Sequence, residues 1–209
     1  MNTFNVDCSS KDFEAIDVAL EDARENGSAA LRVSKLPERY GDFDADTFAR
    51  ALQVTDFHNG TIDVDMYGSL LEDAPDYARG FIGIVFRVDE RNAEFESFYI
   101  RPTNGCCTDP VRRSHGCQYF SYPGYTFAYF RRHGIDGYEA PIESGLDEWV
   151  HLHAEIDDDK ARFYLNGAAT PALTIDGLKH GANAHGGIGL YVDDGTDALF
   201  RNLVVVCTD

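Results

Sequence analysis

Two adjacent segments of the 209-residue sequence concentrate side chains that can bind or transform a polar ligand. The first, EFESFYIRPTNGCC, runs from Glu94 to Cys107, and the second, DPVRRSHGCQYFSYPGY, runs from Asp109 to Tyr125. Aromatic rings stack on the C–H faces of sugars, whereas guanidinium and carboxylate groups hydrogen-bond hydroxyl groups in pairs. These residue types therefore predict a site for a polar ligand, and a saccharide in particular.

Hydrolysis of a glycoside would need two carboxyl groups that face each other across a cleft. Glu139 follows Tyr138 outside any predicted strand, and we expect it to be the catalytic carboxylate. Glu94 and Glu96 alternate in phase with Phe98, which places them on the buried face of a regular strand or in a bulge. A carboxylate paired with an arginine is the simpler interpretation of these two, and a general acid with a raised pKa is the alternative.

Elimination is a second chemistry that the same residues could support. In that reaction His115 or Tyr119 would remove a proton, and Arg101 would neutralise the developing negative charge. His115 and Tyr119 are therefore candidate catalytic residues beside Glu139. Their proximity is one of sequence, so hydrolysis and elimination both stay open.

The candidate ligand-binding residues are polar or aromatic and fall on predicted outer strand faces, at strand ends or in one long loop. They are Arg87, Tyr99, Arg101, Asn104, Gln118, Tyr122, Arg131, Tyr138, Asp63 and Asp65. The loop, YPGYTFAYFRRHGIDGYEAP, spans residues 122–141 and has no clean periodicity. A long irregular segment within a chain of strands and turns is often functional, and we expect it to form a wall over the outer face.

The elements that must position these residues are predicted strands. In TIDVDMYG, Ile62, Val64 and Met66 alternate with Asp63 and Asp65, and six later segments show the same period of two. Turns rich in Asp, Asn and Gly join them, as in DDDK, NG and DDGTD. Alternation with such turns is typical of an antiparallel all-β protein, and this many strands in one domain predict a two-sheet sandwich or jelly roll.

The length fits one domain, residues 1–209, with a lead-in over 1–29 and a jelly roll over 30–209. Residues 12–26 space Phe13, Ile16 and Leu20 as a helix would, with Gly27 as a stop signal. Strands interrupted by acidic turns are the other interpretation of this segment. We expect a short N-terminal helix or an irregular lead-in.

Composition limits the partners. The net charge of −18 disfavours nucleic acid and anionic membranes. The start, MNTFNVDCSSKDFEA, lacks a basic and an apolar region, so we expect no signal peptide, a cytoplasmic protein and five free cysteines.

His151 and His153 share a strand face without a third ligand, and no nucleotide, serine-hydrolase or zinc-protease motif occurs. We predict neither a metal nor a cofactor.

The sequence between Gly60 and Val206 resembles bacterial concanavalin A-like, laminin-G-like jelly-roll domains. The motifs that carry the resemblance are GFIGIVFR, FESFYIRPTNG, QYFSYPGY, GYEAP, EWVHLHAEI, ARFYLNG and GGIGLYVDDGTDALFRNLVV. It is more loosely similar to a domain-of-unknown-function group associated with 3-keto-glycoside hydrolysis. The resemblance implies a sandwich whose concave face binds or cleaves carbohydrate. The E-x-D-x-x-E strand of laminarinases and the Q-I-H motif of alginate lyases are both missing from the sequence.

Two functions are consistent with these patterns. The first is an intracellular glycoside hydrolase or lyase that acts on an oligosaccharide or modified sugar. The alternative is a non-catalytic module that binds carbohydrate or forms homo-oligomers through edge strands or an aromatic face. A free-standing domain favours the enzyme, whereas the lack of a recognisable acid/base pair favours the module.

Overall fold

In a computed structural model of the chain, residues 1–25 and 27–208 form two antiparallel β-sheets packed as a sandwich. This architecture confirms the predicted fold class. The strands are β1 (Asn2–Val6), β2 (Phe13–Ile16), β3 (Val18–Glu25), β4 (Ser28–Lys35), β5 (Phe48–Ala51), β6 (Gly60–Leu70), β7 (Ile82–Val88), β8 (Phe95–Ile100), β9 (Cys117–Tyr122), β10 (Glu139–Ala140), β11 (Trp149–Asp157), β12 (Lys160–Leu165), β13 (Leu173–Asp176), β14 (Gly187–Val192) and β15 (Thr196–Cys207).

The first sheet has the order β13-β12-β11-β6-β15-β4-β3, with β1 paired to β15, and the second has the order β10-β9-β8-β7-β14-β5-β2. Three short helices follow strands of the second sheet: α1 (Pro102–Gly105), α2 (Pro110–Arg113) and α3 (Phe127–His133). Single 3₁₀ turns occupy Ser10–Asp12 and Pro37–Arg39.

The main core lies between the two sheets and follows from the alternation of each strand. In β6, Ile62, Val64 and Met66 are buried, while Asp63 and Asp65 lie on the opposite face. Burial of the apolar face removes it from water, which is the dominant favourable term in folding. The predicted inward residues of β6 are therefore confirmed.

The second sheet is buried on both faces. Strands β7, β8 and β14 have no exposed residue, and a separate hydrophobic cluster covers their outer side. The large side chains of that cluster are Phe48, Phe81, Phe95, Tyr99, Phe120 and Tyr191. The outer face of this sheet is therefore a covered surface, and residues on it meet solvent only where the covering loops leave a gap.

The N-terminal segment forms strands, so the expectation of a helix or irregular lead-in over residues 12–26 is wrong, and the alternative of strands interrupted by an acidic turn is confirmed. β2 and β3 occupy it, separated at Asp17, which has a φ of 51°. β3 pairs with β4 along its whole length. This pairing supplies the segment with backbone hydrogen bonds to a neighbouring strand, in place of those within a helix. Tertiary pairing thus overrides a weak local preference. Asn26, the last residue of that prediction, lies outside the described residues.

The predicted irregular loop over 122–141 contains one helix. Thr126 caps α3 through its side-chain oxygen, which accepts a hydrogen bond from Tyr129 N at 3.3 Å, and Gly134 ends it with a φ of 60°. Only glycine adopts that left-handed backbone without steric cost. The helix forms part of the wall that covers the second sheet.

Within residues 1–25 and 27–208, no helix is both long and apolar enough to cross a membrane. All five cysteines are free thiols, as predicted. Burial raises the pKa of the Cys8 thiol to about 11 and that of Cys117 to about 12, so both are inert at neutral pH.

Candidate functional site

The floor of the candidate site lies where β8 ends beside β9. Tyr99 pairs directly with Gln118 across the two strands, and both side chains point away from the main core. Arg101 follows β8, and Pro102 begins α1. A proline disfavours helical backbone in the residue before it, so the helix begins after Arg101. The chain therefore turns at Arg101 and leaves its guanidinium above the sheet.

Arg101 is 5% exposed and is held on several sides. Its guanidinium donates hydrogen bonds to Glu139 Oε1 at 2.8 Å, to the Tyr99 hydroxyl at 2.7 Å and to Gln118 Oε1. It also lies 4.9 Å from the centroid of the Tyr99 ring. The position of this arginine is therefore fixed before any ligand arrives.

A buried ion cluster positions the loop that covers the floor. Lys35 Nζ lies 2.7 Å from Asp193 Oδ1 and 2.6 Å from Asp194 Oδ1, and all three side chains are buried. Asp194 Oδ2 also accepts hydrogen bonds from Gly41 N at 2.7 Å and from the Tyr77 hydroxyl at 3.0 Å. The cluster anchors the segment after β4 against the turn between β14 and β15.

Together these elements enclose a pocket of about 390 Å³ on the outer face of the second sheet, which we call the arginine pocket. It is lined by Phe43, Asp44, Tyr77, Arg79, Phe81, Tyr99, Arg101, Asn104, Val111, Arg112, His115, Phe127, Arg131 and Asp193. Its volume falls in the range of roughly 300–1,000 Å³ that small-molecule sites occupy.

One wall of the arginine pocket is aromatic. The Phe43 ring meets Tyr77 edge-on at 5.4 Å and Phe127 at 6.1 Å, measured between ring centroids. Phe43 and Tyr77 are each 40% exposed, although large aromatic side chains usually bury most of their surface. The wall therefore offers an apolar surface to a ligand.

Arginines from two short loops also line the arginine pocket. The side chain of Asp109 caps α2 and accepts hydrogen bonds from Val111 N and Arg112 N, which orients the helix. Arg112 then donates to Asn104 Oδ1 through Nε and Nη2, each at 3.2 Å. Arg79, before β7, donates to backbone carbonyl groups at Asp76 and Ala78.

Glu139 lies behind the pocket wall and is ion-paired. Its carboxylate accepts hydrogen bonds from Arg101 and from Arg131, the latter at 2.6 and 3.1 Å, and lies 3.0 Å from His115 Nδ1. Burial alone would raise the pKa of Glu139, but the two guanidinium groups outweigh it and lower the pKa below its ordinary value. Glu139 is therefore ionised at neutral pH.

Asp44 has the opposite electrostatic character. It is fully buried, and desolvation raises its pKa to about 6, although hydrogen bonds from Phe127 N at 2.6 Å and the Tyr99 hydroxyl at 2.9 Å favour the charged form. Burial likewise raises the pKa of Tyr99 well above its ordinary value, so the phenol is neutral. Asp44 can hold a proton near neutral pH.

Solved structures with a similar architecture include carbohydrate-binding module CBM66 from Bacillus subtilis (TM-score 0.60, 15% identity, 93% of this chain and 96% of that chain covered). A Bacillus subtilis protein of unknown function with a galectin-like fold is also similar (TM-score 0.55, 16% identity, 98% of this chain and 94% of that chain covered). A third similar structure is that of a Parabacteroides distasonis protein proposed to be a glycosyl hydrolase (TM-score 0.56, 12% identity, 99% of this chain and 100% of that chain covered). This chain shares their β-sandwich fold. No protein-family model and no curated protein sequence matches it.

The structure brings together about half of the residues singled out from the sequence. Tyr99, Arg101, Asn104, His115 and Arg131 line the arginine pocket. Gln118 and Glu139 lie directly behind it and contact Arg101. A catalytic role for Glu139 or His115 stays a prediction.

Three of the predicted aromatic residues lie elsewhere. Tyr119 faces the main core, where its hydroxyl donates to the buried Glu96, and burial raises its pKa far above the ordinary value. Tyr138 stacks on Phe130 at 4.0 Å and packs against the same core. Tyr122 stacks on Phe95 on the outer face, away from the pocket. The predicted inward direction of Glu96 is confirmed, although its partner is a tyrosine and not an arginine.

Arg87 does not stand beside Arg101, because a β-bulge interrupts β7. Val88 pairs with Gly187 and Phe86 with Ile188, which leaves Arg87 as the extra residue, with a φ of 56°. A bulge redirects the side chain from the regular alternation. The Arg87 guanidinium instead donates to carbonyl oxygens of other loops, including that of Asp158 at 2.7 Å.

Asp63 and Asp65 lie on the outer face of the first sheet, so they do not join the pocket. Asp63 Oδ1 lies 2.7 Å from His153 Nδ1, and Asp65 Oδ1 lies 2.8 Å from His151 Nδ1. The alternation correctly placed these residues outward, but on the other sheet. Among the residues described here, no group of three or more His, Cys, Asp or Glu side chains is arranged to hold a metal ion.

Sequence reasoning missed several pocket residues. Asp44 and Phe43 lie in the acidic segment GDFDAD, which reads as a simple turn, and Asp193 lies in DDGTD, which we interpreted as one. Arg79 precedes a strand without any pattern of its own. Arg112 lies within DPVRRSHGCQYFSYPGY, and the arginine content of this segment is the signal that could have identified it as a pocket residue.

Proposed function

We propose that this protein binds a saccharide in the arginine pocket. The observation that carries the proposal is one pocket that combines exposed aromatic rings with guanidinium groups held in place by the protein. Sugar rings combine apolar C–H faces with hydroxyl groups at their edges. The aromatic rings and the guanidinium groups of the pocket match those two kinds of surface.

The fold supports the same proposal. One similar structure is named as a carbohydrate-binding module, and another was proposed to be a glycosyl hydrolase. We further propose that the chain is related to the bacterial jelly-roll domains that its sequence resembles, with the ligand on the outer face of the second sheet.

Binding without cleavage is the activity that the carboxylates favour. Glu139 is ionised and shared between Arg101 and Arg131, so it has no proton to donate to a leaving group. Asp193 lines the pocket but is paired with Lys35. Neither carboxylate is arranged as one member of a facing acid/base pair.

The test is calorimetric titration of the full chain with neutral and acidic oligosaccharides, followed by chromatography of each mixture. We expect binding with no change in the saccharide. Phe43→Ala should weaken that binding by about tenfold, as truncation of a central aromatic contact does. Leu52→Ala is the matched control, because Leu52 is also apolar and 52% exposed but lies outside the pocket. An equal loss in both variants, or no binding by any saccharide, would refute the proposal.

One observation favours hydrolysis as a second candidate function. Asp44 lines the pocket with a pKa of about 6, which suits a general acid near neutral pH. If the protein is a hydrolase, Asp44→Asn should abolish the release of reducing ends while saccharide binding persists. Turnover that survives this substitution would exclude Asp44 as the acid.

A further inference from the structure

The arginine pocket carries more positive charge than its neighbours neutralise. Four arginines line it, together with the carboxylates of Asp44 and Asp193. This imbalance occurs in a chain with a net charge of −18, in which the general field would repel an anion. A local cluster of guanidinium groups against that background calls for a specific explanation.

The carboxylates near the pocket are already engaged. Asp193 is paired with Lys35 at 2.7 Å, and Glu139, behind the wall, is shared between Arg101 and Arg131. Asp44 lies at the buried floor and accepts hydrogen bonds from Tyr99 and from Phe127 N. These contacts account for Arg101 and Arg131 but leave the other two arginines.

Arg79 and Arg112 have no carboxylate partner among residues 1–25 and 27–208. Arg79 donates to the backbone carbonyls of Asp76 and Ala78, and Arg112 donates to Asn104 Oδ1 and to the Thr103 hydroxyl at 3.3 Å. Both side chains are partly buried, so water screens their charges less than at an open surface.

The crowding of cations is visible at Arg79. Burial lowers its pKa, and the nearby charges of Arg112 and Arg101 lower it further. Three guanidinium groups therefore disfavour one another at one end of the pocket. An anion placed among them would relieve that repulsion and accept charge-assisted hydrogen bonds.

We propose that the saccharide bound in the arginine pocket carries an oxyanion, which Arg79 and Arg112 bind while the sugar ring lies toward the aromatic wall. This inference rests on the proposed function, which it narrows to acidic or esterified sugars. A guanidinium can donate two hydrogen bonds to a pair of oxygen atoms on one oxyanion. Carboxylates, sulfate esters and phosphate esters all offer such a pair. Asn104, which orients Arg112, is then a positioning residue.

The test compares matched pairs of di- and trisaccharides by calorimetry: uronates of glucose, galactose and mannose against the same sugars with the carboxyl reduced to an alcohol. Sugar 6-sulfates and 6-phosphates show which oxyanion is preferred. We expect at least one acidic member to bind about tenfold more tightly than its neutral partner, and the preference to shrink as sodium chloride is raised.

Arg79→Gln and Arg112→Gln should each lower affinity for the acidic sugar by about tenfold and lower affinity for the neutral sugar by clearly less, so that the preference for the acidic member falls. Arg113→Gln is the matched control, since it removes the same charge from the same helix but outside the pocket, where Arg113 is 48% exposed and lies 3.7 Å from Glu143. Arg112→Lys keeps the charge and should retain part of the preference, which separates charge from local folding.

The outcomes divide cleanly between the two proposals. Equal binding of acidic and neutral members, or an equal effect of Arg112→Gln and Arg113→Gln, would overturn this inference and leave saccharide binding intact. If no member of any pair binds, the proposed function itself fails.

Discussion

Replacing Asp44 by asparagine should stabilise the folded protein above pH 6 and should give no stabilisation below pH 4. Asp44 is a buried residue of the loop between β4 and β5, where desolvation raises its pKa from 3.8 to about 6. The carboxyl group therefore keeps its proton in the folded state over a pH range in which the unfolded chain has lost it. Asparagine has nearly the same shape and carries no charge at any pH.

The magnitude follows from the two pKa values. Below pH 3.8 Asp44 is protonated in both the folded and the unfolded protein, so it contributes no pH dependence. As the pH rises from 3.8 to about 6, the folded protein loses stability, because only the unfolded chain releases the proton. Above pH 6 the full cost of the buried charge is present. At 1.36 kcal/mol per pKa unit, that cost is about 3 kcal/mol. Asparagine accepts one hydrogen bond where the carboxylate accepts two, which costs about 1 kcal/mol. The net stabilisation expected at pH 8 is about 2 kcal/mol.

The assay is urea unfolding of the wild type and the Asp44→Asn variant at several values between pH 4 and pH 8, followed by circular dichroism. The difference in unfolding free energy between the two proteins should grow over this pH range by about 2.5 kcal/mol, because part of the cost is already present at pH 4. Asp136→Asn, at an exposed aspartate, is the control. A difference that stays constant across this range would show that Asp44 carries no raised pKa in the folded protein, and the reasoning would be refuted.

Two further predictions concern the contribution of ion pairs to stability. Lys35→Met should destabilise the fold by about 3–5 kcal/mol in urea unfolding, because Asp193 would remain buried without its cation; a loss below about 1 kcal/mol would contradict the buried pair. At Asp65 burial would raise the pKa, but hydrogen bonds from His151 and Asn202 outweigh it and lower the pKa. Asp65→Asn should therefore destabilise the protein at pH 7 by up to about 1 kcal/mol, a difference that shrinks as pH falls below 3.8; a larger difference at pH 3 than at pH 7 would contradict this sign.

The strand faces could be predicted from the sequence because they depend on local alternation. Tyr99 points away from Phe98 and Ile100 in any regular strand, and the structure has Phe98 and Ile100 in the main core and Tyr99 on the outer face. The prediction stopped short of burial, however. Tyr99 is 1% exposed because loops from distant parts of the chain cover the outer face of the second sheet.

Arg87 and Asp63 show two other limits of alternation. A single extra residue at Arg87 reverses the direction of its side chain, and no pattern in GIVFRVDE marks that bulge. Asp63 faces outward as expected, but alternation cannot assign a strand to one sheet or the other. Sheet membership is set by pairing between segments far apart in the chain, such as β6 with β15.

Local patterns were enough to predict most strands after Gly60, the inward face of β6 and the concentration of arginine, tyrosine and amide groups near the end of β8, because each depends on residues within a few positions of one another. That these groups form a pocket, and which of its arginines lack a carboxylate, depends on contacts between distant segments. The ion pair of Lys35 with Asp193 joins residues 158 positions apart and holds Asp44 and the aromatic wall over the sheet. Contacts between residues so far apart in the sequence form only when the whole chain packs, so local sequence patterns cannot predict them.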